Sequence, residues 1–212
     1  MNYMSTDDPP SGEMYLKGPG MMVGYFKREE ETAECFPDND GWFATGDIAR
    51  LREDGSLEIV DRKKNLFKLA QGEYISPETL EQEYAKCKSI SQIWVYGDSL
   101  EPKLVAIVVP DVHAAKEWAK SNRIEFESLQ QIAERKDFKE HVMNELLEMS
   151  KTSRFKGYER IGDVRFETNV DDSGLGFNIE NETLTPTLKL KRPPLKKKYR
   201  TLLDEMYSAM SK

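Results

Sequence analysis

Cysteine is scarce in this sequence, and long apolar runs are missing from it. With only Cys35 and Cys87, the chain cannot form the set of disulfides that stabilises small secreted domains, so we expect a reducing compartment. The longest uninterrupted apolar run, residues 104–109, is far shorter than the ~18 residues of a membrane-spanning helix. The first residues lack the basic start and apolar centre of a secretory signal. We therefore expect a protein that is not secreted and that acts on the cytoplasmic side, with any membrane association through regions outside this chain.

The composition indicates a folded protein with an uneven distribution of charge. Of the 212 residues, 38% are hydrophobic and 33% are charged, which is typical of one large domain or two modest ones. The net charge is -7, yet residues 189–200 contain seven cations and no carboxylate. A mainly acidic chain disfavours general nucleic-acid binding. The basic segment either meets a phosphate-bearing ligand or an anionic membrane surface, or it is a solvated strand and helix.

Turn signals are frequent in the first part of the chain, between short segments that are typical of strands. Asp54-Gly55 is the clearest hairpin turn. After it the pattern changes, and we place a domain boundary at Asp61-Arg62. The sequence thus predicts a β-rich unit over residues 1–60 and a second domain over residues 61–212. The strands predicted in the first unit cover residues 13–17, 42–44 and 57–60.

The pattern of the second domain indicates a small sheet covered by helices. Ser76 is predicted to cap a helix with Pro77 at its first position, where the missing N–H has no cost. A last helix is predicted over residues 194–210, because apolar side chains recur there at helical spacing. Other helices should begin near Asp111, Phe126 and Phe138, and strands should cover residues 66–69, 92–96, 104–109 and 164–167. The predicted fold class is therefore α+β.

Residues 42–47 are predicted to form a strand that ends in a glycine turn, with the carboxylate of Asp47 just beyond it. A carboxylate at a strand end can accept two hydroxyl protons from a ribose, as acidic residues do in dinucleotide-binding folds. Alternatively, Asp47 closes the turn through its own backbone. This motif alone leaves both interpretations open.

Other candidate sites are not supported by their surroundings in the sequence. The glycine pairs at residues 18–20 and 174–176 are not followed by the helix that a dinucleotide fingerprint requires. His113 and His141 have no second His or Cys at ligand spacing, so no metal site is predicted. Neither cysteine has a nearby histidine that would activate a thiol nucleophile.

Two longer segments carry motifs in a specific order. One is residues 61–78, which include Asp-Arg-Lys-Lys and Gln-Gly-Glu-Tyr, and the other is residues 184–193, Leu-Thr-Pro-Thr-Leu-Lys-Leu-Lys-Arg-Pro. Shorter motifs precede them in order: Gly24-Tyr25, Gly41-Trp42 and Thr45-Gly46-Asp47. Together they resemble the late motifs of adenylate-forming enzymes, and most closely those of eukaryotic long-chain acyl-CoA synthetases. The resemblance covers almost the whole chain.

The resemblance implies an enzyme that uses ATP and Mg²⁺ to convert a long-chain fatty acid to an acyl-adenylate, and then transfers the acyl group to coenzyme A. Complete members also contain a Ser/Thr/Gly-rich phosphate loop, which this sequence lacks. The chain is thus expected to be a C-terminal part, in which residues 1–60 finish the large AMP-binding domain and residues 61–212 form a mobile lid. Its expected partner is the missing N-terminal domain. Alone it should be inactive and hold no cofactor tightly.

Two alternatives stay open in the sequence. The parent could be another acyl- or aryl-CoA ligase of the same superfamily. The chain could also be a non-catalytic module in which residues 189–200 contact phosphate groups or, peripherally, a membrane. Nucleic acid is not an expected partner.

The resemblance also implies roles for individual residues. Asp47 would hold the ribose hydroxyls of the nucleotide, and Arg62 would assist it. Asp61 would be the hinge about which the lid turns, with its side chain solvated. After that turn, a loop would line the tunnel for the pantetheine arm of coenzyme A. The residues assigned to this loop are Lys68, Gly72, Glu73 and Tyr74.

Lys189 would be the mobile catalytic lysine of adenylate formation. Its ammonium group would meet the substrate carboxylate and the α-phosphate as negative charge shifts between them. Many relatives carry Gly before this lysine, whereas this chain has Leu188. On a strand, Lys189 and Lys191 would point to the same face, so alternation does not choose between them. The three-residue offset to Arg192, which matches the family, favours Lys189.

Overall fold

The computed structural model describes residues 8–38 and 40–210 of the chain. The first seven residues, on which the expectation of no secretory signal partly rests, lie outside this part. The described residues form two compact units. The first contains the chain up to Phe67 together with Tyr74–Thr79, and the second contains Lys68–Glu73 and the chain from Leu80 onward. This division concerns compactness, and the domain boundary at Asp61-Arg62 stays a prediction.

The first unit is built on a three-stranded antiparallel sheet in the order β1-β2-β3. Its strands are β1 (Ser11–Leu16), β2 (Phe43–Leu51) and β3 (Leu57–Arg62). The predicted hairpin between β2 and β3 is confirmed. Gly55 has φ +81°, and the Asp54 carboxylate accepts the Ser56 N–H at 2.9 Å. Glycine adopts this left-handed conformation without steric cost.

Helix α1 (Glu29–Cys35) also belongs to the first unit, and the sequence pattern does not predict it. None of its residues is buried, so it has no apolar stripe that periodicity could reveal. Three glutamates occupy its first turn. The positive end of the helix dipole stabilises each such carboxylate by about 0.3–1 kcal/mol.

A short ladder and a helix follow β3. Strand β4 (Phe67–Lys68) pairs with β5 (Tyr74–Ile75), and α2 (Pro77–Tyr84) begins soon after. The helix start at Pro77 is confirmed, whereas the predicted strand at residues 66–69 is shorter. The cap also differs from the prediction. The Asp61 carboxylate accepts the Glu78 N–H at 3.0 Å, and the Ser76 hydroxyl donates to that carboxylate at 2.8 Å.

The second unit is built on a three-stranded sheet in the order β6-β7-β8. Strands β6 (Ile90–Tyr96), β7 (Leu104–Pro110) and β8 (Ile161–Phe166) confirm the predicted strands with slightly shifted ends. β6 and β7 are antiparallel, while β7 and β8 are parallel. Every residue of β7 is buried, as expected for a continuous apolar run in a central strand. The predicted mixture of sheets and helices is thus confirmed.

Helices connect β7 to β8, because a parallel pair needs a crossover. They are α3 (Val112–Ser121), α4 (Leu129–Ala133) and α5 (Lys136–Thr152), and α6 (Arg192–Met210) follows β8. The buried side chains of α6 confirm its predicted apolar stripe: Leu195, Tyr199, Leu203, Met206 and Tyr207. They pack in one core cluster with Trp94 and Ile107 of the sheet. None of the helices in the described part combines the length and apolar character that crossing a bilayer requires.

Candidate functional site

Asp47 and Arg62 lie opposite each other on β2 and β3. Arg62 Nε is 3.1 Å from Asp47 Oδ1, so the two residues assigned to nucleotide binding by resemblance are neighbours. The predicted end of the strand at this motif is wrong. β2 continues through Gly46 and Asp47 to Leu51, because β1 and β3 both pair with its second half.

The Thr-Gly-Asp motif is instead a bulge within β2. The register with β1 shifts between Glu13 and Tyr15, which pair with Ile48 and Ala44, and Gly46 between them has φ +72°. A bulge bends a strand and re-aims its side chains. The Asp47 N–H donates to Thr45 Oγ1 at 3.0 Å. Its half-buried carboxylate pairs with an arginine and can still accept hydroxyl protons.

Asp61 is buried at 2% exposure, so the expectation of a solvated side chain is wrong. Its carboxylate accepts hydrogen bonds from one residue that precedes β4 in the sequence and from two residues that follow β5. Oδ2 accepts from the Ser76 hydroxyl and the Glu78 N–H, and Oδ1 accepts from Asn65 Nδ2 at 3.2 Å. Several donors satisfy the charge, which is what permits its burial. Asp61 therefore ties the end of β3 to the start of α2.

The loop assigned to coenzyme A is a tight turn. The Leu69 N–H donates to the Glu73 carbonyl at 2.9 Å, and the Gly72 N–H donates to the Leu69 carbonyl at 2.9 Å. Gly72 has φ +94°, a conformation that strains any residue with a Cβ. Lys68 is exposed, whereas Glu73 and Tyr74 are half-buried. The role of these four residues in binding coenzyme A stays a prediction.

Lys189 directly follows a tight turn and lies outside the named strands, and whether its side chain shares a face with that of Lys191 stays a prediction. The Leu188 N–H donates to the Thr185 carbonyl at 2.9 Å, and the Thr185 N–H donates to the Lys189 carbonyl at 2.8 Å. Leu184 and Leu190 form an isolated antiparallel bridge below the turn. Leu188, the residue before Lys189, has φ +61°.

The two candidate lysines differ in their surroundings. The side chain of Lys189 is exposed, and no carboxylate of residues 8–38 or 40–210 forms an ion pair with it. Lys191 is half-buried, and its N–H donates to the Thr183 carbonyl at 2.8 Å. An exposed ammonium group on a fixed backbone is available to an anionic ligand, so this geometry favours Lys189.

Arg192 forms a buried ion pair that the sequence analysis does not predict. Its guanidinium group donates to both carboxylate oxygens of Glu81, at 3.0 and 2.8 Å. Glu81 is 8% exposed and also accepts the Val95 N–H at 2.9 Å. The only signal in the sequence is a carboxylate on the apolar side of α2. The pair joins the first residue of α6 to α2 and β6.

Three further cations of the basic segment have partners on the protein. Lys198 Nζ is 2.8 Å from Glu167 Oε2, and Arg200 Nε is 3.1 Å from Asp204 Oδ2. Lys196 lies over the Tyr96 ring, 5.3 Å from its centroid. Burial raises the pKa of the Glu167 carboxyl, but hydrogen bonds from Lys198 and Tyr199 lower it by more, so that the pKa lies below its ordinary value. These contacts weigh against a segment whose charge serves mainly to hold a membrane or free phosphate.

A second polar cluster lies beside a shallow cleft of about 510 Å³ in the second unit. His141 Nε2 is 3.2 Å from Ser89 Oγ and 3.4 Å from Glu145 Oε1. Both oxygens contact the same ring nitrogen, so the carboxylate does not orient the imidazole toward the hydroxyl as in a catalytic triad. Burial and the charge of Glu145 raise the pKa of the nearby Cys87 thiol to about 11. Within the described ranges, no group of three or more His, Cys, Asp and Glu could hold a metal ion.

Comparison with known proteins gives relatives along nearly the whole chain, although no protein-family model matches it. "Long chain acyl-CoA synthetase 2" of Arabidopsis thaliana is 43% identical over 201 residues, which are 95% of this chain and 29% of that protein. "Long-chain-fatty-acid--CoA ligase 1" of Homo sapiens is 40% identical over 210 residues, which are 99% of this chain and 29% of that protein. The chain therefore spans less than a third of the length of these relatives.

Solved structures share its architecture. The A domain of a carboxylic acid reductase from Segniliparus rugosus, in complex with AMP and a co-purified carboxylic acid, matches with a TM-score of 0.83 and 32% identity. The match covers 99% of this chain and 30% of that chain. O-succinylbenzoate coenzyme A synthetase from Bacillus subtilis, in complex with AMP, matches with a TM-score of 0.55 and 21% identity over 88% of this chain and 30% of that chain. This second likeness concerns the fold alone.

Proposed function

We propose that this chain is the C-terminal part of a ligase that uses ATP to activate a long-chain fatty acid and then transfers the acyl group to coenzyme A. The chain is homologous to the C-terminal part of the eukaryotic long-chain acyl-CoA synthetases, in the adenylate-forming superfamily. The observation that carries the proposal is the 43% identity over 95% of the chain. The proposed location is the cytoplasmic side.

Asp47 and Arg62 are the proposed nucleotide-binding pair. The arginine fixes one carboxylate oxygen of Asp47 at 3.1 Å. A carboxylate has several acceptor positions, so the remaining ones can bind the two hydroxyls of the ribose. The carboxylic acid reductase domain that shares this fold contains AMP. Mg²⁺ has no cluster of ligands among the described residues, and no step proposed for this chain passes through it.

Lys189 is the proposed catalytic lysine of adenylate formation. Negative charge moves from the fatty-acid carboxylate to the α-phosphate in this step, and a cation placed between them stabilises the transition state. An ammonium group that is already neutralised by a protein carboxylate could not do this. The exposed side chain of Lys189, which no carboxylate in the described part pairs with, meets that requirement.

Asp61 is the proposed hinge, with residues 61–212 as the lid and residues 1–60 as the end of the large domain. Its carboxylate is bound to Ser76 and to the first turn of α2. The Ser76 and Thr79 hydroxyls also lie within hydrogen-bond distance of the Val60 carbonyl, at 3.2 and 3.0 Å, so rotation about the backbone of Asp61 would break these two contacts. In the turned state, the loop with Lys68, Gly72, Glu73 and Tyr74 would line the path of the pantetheine arm.

The preceding domain of the ligase is the proposed partner of the first unit. Val23 is 99% exposed and Phe26 is 87% exposed, and Tyr25 between them is also exposed. Consecutive apolar side chains in water usually mark a surface that another structure covers. The relatives have more than twice this length outside the matched part, which provides a covering domain.

The test of the proposal compares the isolated chain with the full-length parent. The parent should form palmitoyl-CoA from palmitate, ATP and coenzyme A. The isolated chain should show no palmitate-dependent ATP–pyrophosphate exchange, because the glycine-rich amides that hold the triphosphate are outside it. Measurable exchange by the chain alone would contradict its assignment as a part. A parent that activates benzoate in preference to palmitate would support an aryl-CoA ligase instead.

A further inference from the structure

The backbone of Lys189 is held at both of its polar groups by a single residue. Its N–H donates to the Thr185 hydroxyl at 3.1 Å, and its carbonyl accepts the Thr185 N–H at 2.8 Å. The side chain of the same lysine is exposed and pairs with no carboxylate in the described part of the chain. The main chain of Lys189 is therefore held in place, while its ammonium group is exposed and can reach a ligand.

The turn that makes these bonds has a defined conformation. Pro186 follows Thr185, and the Leu188 N–H donates to the Thr185 carbonyl at 2.9 Å, which closes a β-turn with proline at its favoured second position. Leu188 then adopts the left-handed conformation. This is the arrangement of a three-residue hairpin loop, in which a turn is followed by one left-handed residue.

The Thr185 hydroxyl is the only side-chain group within the described residues that bonds to the backbone of Lys189. Without it, the Lys189 N–H would lose its partner, and the turn would keep only its backbone bonds. A displacement of about 1 Å at a reacting group can lower a rate by as much as ~100-fold. A small change in this turn is thus sufficient to misplace the ammonium group.

We propose that Thr185 is a positioning residue for adenylate formation, whose hydroxyl sets the backbone of Lys189 and thereby the reach of its ammonium group. This inference rests on the catalytic role proposed for Lys189. Thr185 itself is not proposed to contact the substrates. Its effect should therefore be confined to the half-reaction that uses the lysine.

The experiment uses the full-length ligase with Thr185→Val, which removes the hydroxyl and keeps the branched shape. The rate constant of palmitate-dependent ATP–pyrophosphate exchange should fall by about 10- to 100-fold, with the KM values for ATP and palmitate within about twofold of wild type. Thioester formation from supplied palmitoyl-adenylate should be unchanged. Thr185→Ser, which restores the hydroxyl, should recover most of the exchange rate.

Thr201→Val is the matched control, because Thr201 is an exposed threonine on α6 and lies outside the turn that holds Lys189. Its exchange rate should stay near that of wild type. If Thr185→Val does not fold, Thr185→Ala removes the same hydroxyl without adding a methyl group, and the same comparison applies. The inference is overturned if exchange is unaffected, if both half-reactions fall equally, or if Thr185→Ser is as impaired as Thr185→Val.

Lys189→Ala separates failure of this inference from failure of the proposed function. If Lys189→Ala exchanges like wild type, the lysine is not catalytic and the proposed function of this residue fails. If Lys189→Ala loses exchange while Thr185→Val keeps it, the lysine is catalytic but the positioning role of Thr185 is wrong.

Discussion

A charged side chain is buried only where hydrogen bonds or an opposite charge compensate for the loss of water. Asp61 is a buried charge of this kind, whereas the charge of Lys189 is exposed to solvent. Asp61 is 2% exposed, and its carboxylate accepts bonds from Ser76, Glu78 and Asn65. Lys189 is exposed and pairs with no carboxylate in the described ranges. A fully satisfied carboxylate suits a joint between two elements, whereas a free ammonium group suits contact with an anion that changes during a reaction.

Leu188 provides a prediction about backbone strain. The left-handed conformation costs a residue with a Cβ roughly 1–2 kcal/mol, while glycine loses about 0.5–1 kcal/mol of extra chain entropy on folding. Because Leu188 is exposed at 69%, its side chain contributes little burial. Leu188→Gly should therefore raise the free energy of unfolding by about 0.5–1 kcal/mol, measured by urea denaturation of the chain.

Leu100→Gly is the matched control, since Leu100 is 84% exposed and is not among the residues with positive φ. This change should lower the stability slightly, because it adds only entropy to the unfolded chain. If both glycine substitutions changed the free energy of unfolding equally, relief of backbone strain at Leu188 would not explain the effect of Leu188→Gly.

Glu167 provides a prediction about pH. Burial raises the pKa of its carboxyl, but hydrogen bonds from Lys198 and Tyr199 outweigh this effect and bring the pKa below the ordinary value. The unfolded chain therefore binds this proton more readily than the folded one, so the stabilisation is present above pH ~4.3 and is lost as pH falls through the folded pKa. Glu167→Gln should destabilise the chain at pH 7, and the difference from wild type should shrink toward pH 3. Urea denaturation at each pH checks this, and a difference that stays constant would contradict it.

At the scale of elements, α6 is held at its first turn by an ion pair and along its length by apolar packing. Arg192 bonds Glu81 on α2 through both carboxylate oxygens, and Glu81 bonds the Val95 N–H on β6. The apolar stripe of α6 packs in the core of the second unit. The turn with Lys189 directly precedes this helix, so the ion pair also fixes the end of that turn.

Arg192→Ala should destabilise the chain by about 3 kcal/mol, because it removes the guanidinium group that neutralises the buried carboxylate of Glu81. Arg192→Lys should recover only part of the loss, since an ammonium group cannot bond both oxygens in the same planar geometry. Arg200→Ala removes an exposed pair with Asp204 and should change the stability by less than about 1 kcal/mol. Urea denaturation measures all three, and similar losses for Arg192→Ala and Arg200→Ala would contradict the account.

The elements that the sequence predicts are those whose pattern is local. The apolar run of β7, the stripe of α6 and the Asp54-Gly55 hairpin each contain their own signal, and each is found. Helix α1 buries no residue, so its segment carries no periodicity. The extension of β2 beyond Gly46 depends on pairing with β1 and β3, which are distant in the sequence.

The candidate site shows the same limit. Motif order assigns roles to Asp47, Arg62 and Lys189, and these roles stay predictions. The structure shows that Asp47 pairs with Arg62 and that Lys189 is exposed. The contacts that surround the site residues could not be predicted from the sequence, because they join residues far apart in the chain. Glu81 and Arg192 are separated by 111 residues, and Ser76 follows Asp61 by 15. Only folding brings such groups together, so no local pattern identifies the residues that satisfy the buried charges of Asp61 and Glu81.

At the scale of the whole molecule, each unit contributes a different part of the proposed reaction. The first unit holds Asp47 with Arg62 and exposes apolar side chains at residues 23–26. The second unit holds Lys189 on its turn and has its own core. The relatives are more than three times as long as the matched part, so most of their length lies outside the matched region.

The most direct measurement is palmitate-dependent ATP–pyrophosphate exchange by the full-length ligase with Lys189→Ala, compared with Lys191→Ala. The account predicts that Lys189→Ala lowers exchange by roughly 10²- to 10³-fold while thioester formation from supplied palmitoyl-adenylate is retained. Lys191→Ala should stay near wild type. A larger loss with Lys191→Ala, or wild-type exchange with Lys189→Ala, would contradict the central claim that the ammonium group of Lys189 stabilises adenylate formation.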